Sequence, residues 1–339
     1  MRTRFILKGT AIICAALAAT LFTSCVHEFP DETTPAPLEL EFSFSMSMDM
    51  PEWVQEESKA AASAPTDAAH DVRYVVSAYR QLNTGGFADK PLRTFVLTKD
   101  FVGNLEHIEK VYLEEGIYRL LAWVDYVEHD STLDLYYNAS DLSGITVNGE
   151  WQGNVTLKDA FVGCDTLKVT RYGSEVAPVK AEFELERPVA AFQLMTTDVD
   201  KFISKMMAAK ADADASVNLE DYCAKISYTS YIPNTYDLVE DVIRDSKKGY
   251  TFTAPVVQLS EKEAAIGFDY IMIPAKGTTI GLNLSFYDRD GNDLGSSGDI
   301  EVPLKRGHKT IIKGEFMTKE AGGGIKIDTG FAGDHNIEL

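Results

Sequence analysis

The chain has 339 residues and a formal net charge of -20, with 52 acidic against 32 basic residues. An acidic excess of that size lacks the cationic surface that phosphate recognition needs, which argues against nucleic acid and anionic lipid headgroups as partners. Four cysteines without a CxxC pair, and six histidines without an HExxH or i, i+4 pair, give no metal-ligand spacing and imply no cofactor.

The N-terminus is basic, with Arg2, Arg4 and Lys8 and no acid before Glu28. Ala11 to Phe22 is an apolar run of 12 residues. A spanning helix needs roughly 20, so the run fits a signal-peptide core. Small Thr23 and Ser24 then precede Cys25. This junction resembles the lipobox of bacterial lipoproteins, with Phe22 where leucine is usual. The resemblance implies cleavage between Ser24 and Cys25 and a lipidated, palmitate-bearing Cys25 in the cell outer membrane; an ordinary secretory signal is the alternative. Two or three acyl chains would hold lastingly, at roughly 0.8 kcal/mol per buried methylene. Cleavage removes Arg2, Arg4 and Lys8, taking the charge from -20 to -23. The remaining chain suits two domains. Cys164 and Cys223 are then left, either as free thiols or as a disulfide.

Residues 25–37 read as a tether rich in Pro, Thr and acids. Leu38, Leu40, Phe42, Phe44, Met46, Met48 and Met50 follow in strict alternation with polar residues, the signature of a half-buried strand. Residues 51–71 lack any strand pattern and read as a long exposed loop. Strands are expected at Val72–Arg80, Arg93–Leu97, His107–Leu113, Tyr118–Asp125 and Gly153–Leu157, separated by turn-forming Gly, Asn and Asp. A second module is expected to begin near residue 176, with alternation over Val179–Glu186 and a strand at Val189–Met195. Asp198–Lys210 carries helical spacing. Further strands are expected at Ala224–Ser230, Thr251–Leu259, Tyr270–Ile273, Thr278–Tyr287, Ile300–Pro303 and Lys309–Met317. The pattern predicts an all-β protein of two tandem β-sandwiches, at 38–175 and 176–339, with one short helix in the second.

Chemistry is sparse. Gly295-Ser-Ser-Gly298 reads as a turn and not as a nucleophile elbow. Asp125, Glu128 and Asp130 could be staged as acid and base, but acids are abundant on solvated faces here. Asp288, Asp290 and Asn292 have the 1, 3, 5 spacing of a calcium loop, yet Asp293 stands where glycine is needed and no glutamate closes the loop. A hairpin on Asp-Gly-Asn is the stronger reading. Trp123 falls in a strand and reads as core, whereas Trp53 and Trp151 sit near loops and could stack on sugars. Nothing argues for an enzyme.

Several phrases together resemble the fimbrillins, the type V pilin subunits of Bacteroidota. They are Gly116-Ile-Tyr-Arg-Leu-Leu-Ala-Trp-Val-Asp-Tyr126, Asp134-Leu-Tyr-Tyr-Asn138, Asp159-Ala-Phe-Val-Gly163, Leu185-Glu-Arg-Pro-Val-Ala190, Gly267-Phe-Asp-Tyr-Ile271, Val302-Pro-Leu-Lys-Arg-Gly-His-Lys-Thr310 and Gly314-Glu-Phe-Met-Thr318. The resemblance implies two transthyretin-like Greek-key domains, export as a lipoprotein, and polymerisation by strand exchange after a surface protease removes the first strand. Leu38–Met50 would be that strand. Ile325, Ile327, Ile337 and Leu339, beyond the Gly322-Gly-Gly hinge, would form a donor strand. Family processing follows an arginine, but none lies between Cys25 and Asp71, so Lys59 is the one basic candidate there. Expected partners are other pilus subunits or further copies, with a host or glycan receptor; a surface glycan-binding lipoprotein is the alternative function.

Overall fold

The computed structural model describes residues 38–46, 50, 69–99, 105–172, 175–176, 179–209 and 216–318. In chain order the first eleven strands are β1 (Leu38–Met46), β2 (His70–Arg80), β3 (Arg93–Lys99), β4 (Leu105–Val111), β5 (Gly116–Glu128), β6 (Tyr137–Asn138), β7 (Ile145–Val147), β8 (Phe161–Val169), β9 (Arg171–Tyr172), β10 (Glu175–Val176) and β11 (Val179–Leu185). Then come β12 (Val189–Thr196), helix α1 (Val199–Ala209), β13 (Tyr222–Tyr228), β14 (Ile232–Asp237), β15 (Val242–Lys247) and β16 (Thr251–Pro255). The last five are β17 (Val257–Gln258), β18 (Ala264–Met272), β19 (Thr278–Asp288), β20 (Asp293–Leu304) and β21 (Lys309–Gly314). The protein is all-β with one short helix, as its alternation predicts.

Two sheets, in the orders β11-β1-β4 and β3-β2-β5-β8, enclose a first core of Leu40, Phe42, Phe44, Tyr74, Leu120 and Phe183. Two others, β17-β18-β12-β21 and β16-β13-β19-β20, enclose a second around Phe192, Leu194, Ile226, Leu282 and Ile312. Helix α1 buries Val199 and Phe202 against that second core, at the helical spacing read from the sequence. Two pairings are parallel, β1 with β11 and β12 with β21, where hairpin chemistry alone would predict antiparallel neighbours.

A third core joins the two. The opposite face of β2 and β5 presents Val75, Leu121 and Trp123, and β12 and β18 present Val189, Ala191, Tyr270 and Met272. Tyr137, Ile145 and Tyr236 fill the space between. A small sheet, β15-β14-β7-β6, is shared across this seam, with β7 antiparallel to β14. Burial on both faces explains why β5 reads as a nearly continuous apolar run.

Several expectations need correction. Val179–Leu185, expected to open the second module, pairs with β1 and buries Ala181, Phe183 and Leu185 in the first core. The expected strand Gly153–Leu157 is irregular and ends in a single 3-10 turn, Thr156–Lys158, while β8 beyond it carries the ladder to β5. Gly163 permits that arrangement, since a Cβ there would lie 2.8 Å from Leu185. Gly295-Ser-Ser-Gly298 lies inside β20, whose pairing with β19 is interrupted by bulges.

Leu38, Leu40, Phe42 and Phe44 are at most 1% exposed, and each contributes about 1.5–3 kcal/mol by burial. Phe44→Ala should destabilise the first sandwich by about 3–5 kcal/mol, read as a lowered denaturant midpoint in equilibrium unfolding.

Candidate functional site

The first candidate site is β1 in its groove. The strand runs antiparallel to β4, with Leu38 opposite Val111 and Phe44 opposite Leu105. On its other edge it runs parallel to β11, with Leu40 opposite Val179 and Met46 opposite Leu185. Phe44 stacks on Phe183 at 4.9 Å between ring centroids and meets Tyr74 at 4.7 Å. Phe42 meets Phe95 edge-on at 5.3 Å. The outer face is tied by ion pairs of Glu39 with Lys110 (2.8 Å) and Glu41 with Lys180 (3.6 Å). β1 is thus the interior strand of its sheet, supplied by the N-terminal end of the described chain.

The second site is a row of buried charges along the seam. Lys158 is 2% exposed and Asp269, on β18, is fully buried. The Lys158 ammonium donates to Asp269 Oδ1 at 2.5 Å and to the Gln152 carbonyl at 2.7 Å, and lies 4.0 Å over the Trp151 ring. Asp269 Oδ2 accepts from Tyr228 Oη at 2.7 Å and Trp151 Nε1 at 2.9 Å, and Oδ1 also accepts the Tyr270 amide at 2.8 Å. Burial pulls Lys158 below the ordinary lysine range, against the attraction of Asp269. Burial, with the Asp269 charge, pushes Tyr228 well up, so its hydroxyl stays a donor. Tyr137, facing the same pocket, donates to the Lys158 carbonyl at 2.6 Å.

Two further buried pairs flank this one. Arg187 Nε donates to both oxygens of Asp159, at 2.9 and 3.0 Å, with its guanidinium 4.7 Å over Phe161. Burial pushes the Asp159 carboxyl up to about 6, opposed by Arg187. Arg73 grips Asp125 through Nε (2.9 Å) and a terminal nitrogen (2.7 Å), and reaches Asp134 at 2.8 Å. Asp125 is therefore committed to Arg73 and is not staged with Glu128 and Asp130. Such pairs fix geometry more than they add stability, because desolvating the charges offsets much of their attraction.

The other sequence candidates fall in place individually. Trp123 is fully buried and edge-on to Tyr137 at 5.3 Å, as expected of a core residue. Trp151 is half-buried, stacked on Tyr250 at 4.4 Å. Asp288 organises the β19–β20 hairpin: Oδ1 accepts the amides of Asp290 (3.0 Å) and Asn292 (2.8 Å), and Oδ2 accepts the Asn292 side chain at 2.9 Å. Those donors hold its carboxyl below the usual range and occupy the oxygens a cation would need. Cys164 and Cys223 are free thiols. Met46 ends β1, and Met50 packs half-buried against the third core. Ser24, Cys25, Met48, Trp53, Lys59, Ile325, Ile327, Ile337 and Leu339 lie outside the described residues.

Sequence reasoning did not single out Lys158, Arg187 or Asp269 as a set. Its signal was local: Asp159, Arg187 and Asp269 are each an ionisable residue inside an otherwise apolar or aromatic phrase.

Residues 33–339 match a family described as of unknown function, DUF6562, and the chain belongs to it. No curated protein sequence matches it. Among solved structures, the fimbrial anchor protein Mfa2 of Porphyromonas gingivalis is similar at 12% identity, over 76% of this chain and 81% of its own, with a TM-score of 0.40. A candidate cell adhesion protein of Bacteroides ovatus is similar at 11% identity, over 82% and 92%, with a TM-score of 0.44. One of Bacteroides eggerthii is similar at 11% identity, over 86% and 90%, with a TM-score of 0.43.

Asp269→Ala leaves Lys158 buried and unpaired, and should destabilise the chain by about 3–5 kcal/mol in denaturant titration, whereas Lys158→Met with Asp269→Leu should lose clearly less. Asp159 titrates higher folded than unfolded, so its contribution is complete below the ordinary carboxylate range and is lost as pH rises through about 6. Asp159→Asn should flatten the pH dependence of stability across that window, measured by denaturant midpoints on either side of it.

Proposed function

We propose that this member of the DUF6562 family is a non-enzymatic surface lipoprotein of the fimbrillin type, anchored in the outer membrane through Cys25, that serves in a pilus or in adhesion by exchanging β1. The observation that carries the reading is the placement of β1. It is an interior strand whose inward Leu38, Leu40, Phe42 and Phe44 are buried, yet it enters from the chain's N-terminal side and connects to β2 through residues 47–69. The fimbrillin-like phrases of the sequence supply the context in which that placement is used.

A cut in that connection, with Lys59 the candidate position, would separate the body of the protein from both the lipid and its own β1. Four buried apolar side chains contribute on the order of 10 kcal/mol, an upper figure since the unfolded chain is partly collapsed. Cutting alone therefore does not empty the groove. A competing strand with the same alternation has to displace β1, pairing its backbone with β4 and β11 while alternate side chains refill the pockets. Ile325, Ile327, Ile337 and Leu339 are the donor candidates within this sequence, and the partner is another copy or another pilus subunit. Uncut, the protein would stay at the surface as an anchored accessory subunit.

Two measurements test this reading. A site-specific protease sequence placed at Lys59 allows β1 to be severed in the folded chain and removed with mild denaturant. The remainder should take up a labelled peptide copying Leu38–Met46 or assemble into oligomers; unfolding with no uptake sinks the exchange mechanism. Separately, Cys25→Ala should abolish acyl labelling and release the protein from membranes, and retention there would sink the anchor.

A further inference from the structure

The edge of the first sandwich carries a surface that strand exchange does not use. Among the described residues β4 pairs only with β1, so its other side is an open edge. A cavity of about 380 Å³ lies there, between the β3 residues Arg93 to Leu97 and Glu109 of β4. Val96, which lines it, is 46% exposed, and on the opposite face of β4 Ile108 at mid-strand is 61% exposed, with Tyr112 just beyond the strand 55% exposed. Edge strands are ordinarily blunted by short length, proline or charge, because they template pairing with other chains. β4 does carry charge, in Glu106, Glu109 and Lys110, but of both signs and around an exposed isoleucine.

The sequence of β4, Leu105-Glu-His-Ile-Glu-Lys-Val111, is complementary to its own reverse. Two copies laid antiparallel about a two-fold axis at Ile108 place Glu106 opposite the partner's Lys110, His107 opposite the partner's Glu109 and Leu105 opposite the partner's Val111. Ile108 meets the partner's Ile108 on the axis. Every directly opposed pair is then either opposite in charge, acid with imidazole, or apolar with apolar, the pairings that stabilise an antiparallel ladder. Neighbouring registers lose this. Centring on His107 sets Glu106 against the partner's Ile108 and Leu105 against the partner's Glu109, and centring on Glu109 sets two glutamates face to face. Charge and shape thus select one register.

We propose that β4 is a homodimerisation edge, pairing isologously with β4 of a second copy to make a continuous sheet in the order β11-β1-β4-β4-β1-β11. Present contacts are compatible with this. Lys110 holds Glu39 at 2.8 Å and has further donors, and His107 lies 3.2 Å from Glu109 on the same strand with both side chains partly exposed. The interface closes on itself by symmetry, so it gives dimers and not filaments. It stands whether or not β1 is ever exchanged.

Cysteine cross-linking reads the register directly. Opposed residues in an antiparallel pair have Cα atoms about 4.5–5.5 Å apart, within disulfide reach. In the full-length chain in detergent at micelle excess, Ile108→Cys should form a disulfide-linked dimer above the background of the parent chain, which has an exposed Cys164. Glu106→Cys and Lys110→Cys should each fail to link alone and should link when mixed. In sedimentation equilibrium Glu106→Lys, which opposes two lysines twice per dimer, should weaken association about tenfold, and adding Lys110→Glu should recover it. Circular dichroism checks that each variant is folded. The proposal is overturned if Ile108→Cys links no more than the parent, if Glu106→Cys links to itself as readily, or if charge reversal leaves association unchanged.

Discussion

One carboxylate, Asp269, sets the terms for the rest of the molecule. It is fully buried and takes four donors, from Lys158, Trp151, Tyr228 and the Tyr270 amide. Those donors come from both halves of the chain: Lys158 and Trp151 lie 111 and 118 residues before Asp269, whereas Tyr228 and Tyr270 belong to its own half. A buried charge leaves few alternatives: any relative placement of the two sandwiches that separates Lys158 from Asp269 strands two ions in an apolar seam. The Asp159–Arg187 pair adds a tie at the connection from β11 to β12, whereas Arg73, Asp125 and Asp134 all belong to the first half and order that half alone. Hydrophobic burial in the third core supplies the attraction between the halves, and the charges choose the orientation.

Much of the fold was legible because alternation survives wherever one face of a strand meets solvent. β1, β11, β13 and β19 all read correctly as strands, and α1 at its own period. Legibility failed where that contrast vanished. β14 and the short β6 and β7 lie in the shared seam sheet, where local pattern carries little contrast between core and solvent faces. Parallel pairing of β1 with β11 was unreadable for a different reason, since the partners are 139 residues apart along the register and nothing local specifies them. The buried charges were hidden by composition: in a chain with 52 acids, an aspartate has no distinguishing mark until its surroundings are known. The phrases that resembled fimbrillins nevertheless contain Asp125, Asp134, Asp159, Arg187 and Asp269. All five take part in the ion pairs of Lys158, Arg187 and Arg73.

The groove around β1 is asymmetric, and that asymmetry bears on how an exchange could proceed. Losing β1 would uncover one edge of β11, but the end of that strand is held independently. Val162 and Glu186 exchange backbone hydrogen bonds at 2.8 and 2.9 Å, and Arg187 is fastened to Asp159. β4 has no such second attachment among the described residues, because β1 is its hydrogen-bonded neighbour. A vacated groove would thus keep its β11 wall and loosen its β4 wall. An incoming strand would pair first along β11, in the parallel sense set by Val179–Leu185, and recruit β4 afterwards.

The same reasoning connects the two proposed surfaces. A β4 paired with a second copy keeps a ladder on its outer edge when the inner one is lost, so the wall that would otherwise loosen is held in place. Dimerisation would then favour a groove that stays open and ordered over one that collapses. The coupling is reciprocal, since an ordered β4 costs less entropy to pair again on its inner side. Whether a copy stands alone or paired at β4 would therefore set how readily β1 can be replaced, with the seam charges holding the second sandwich fixed throughout.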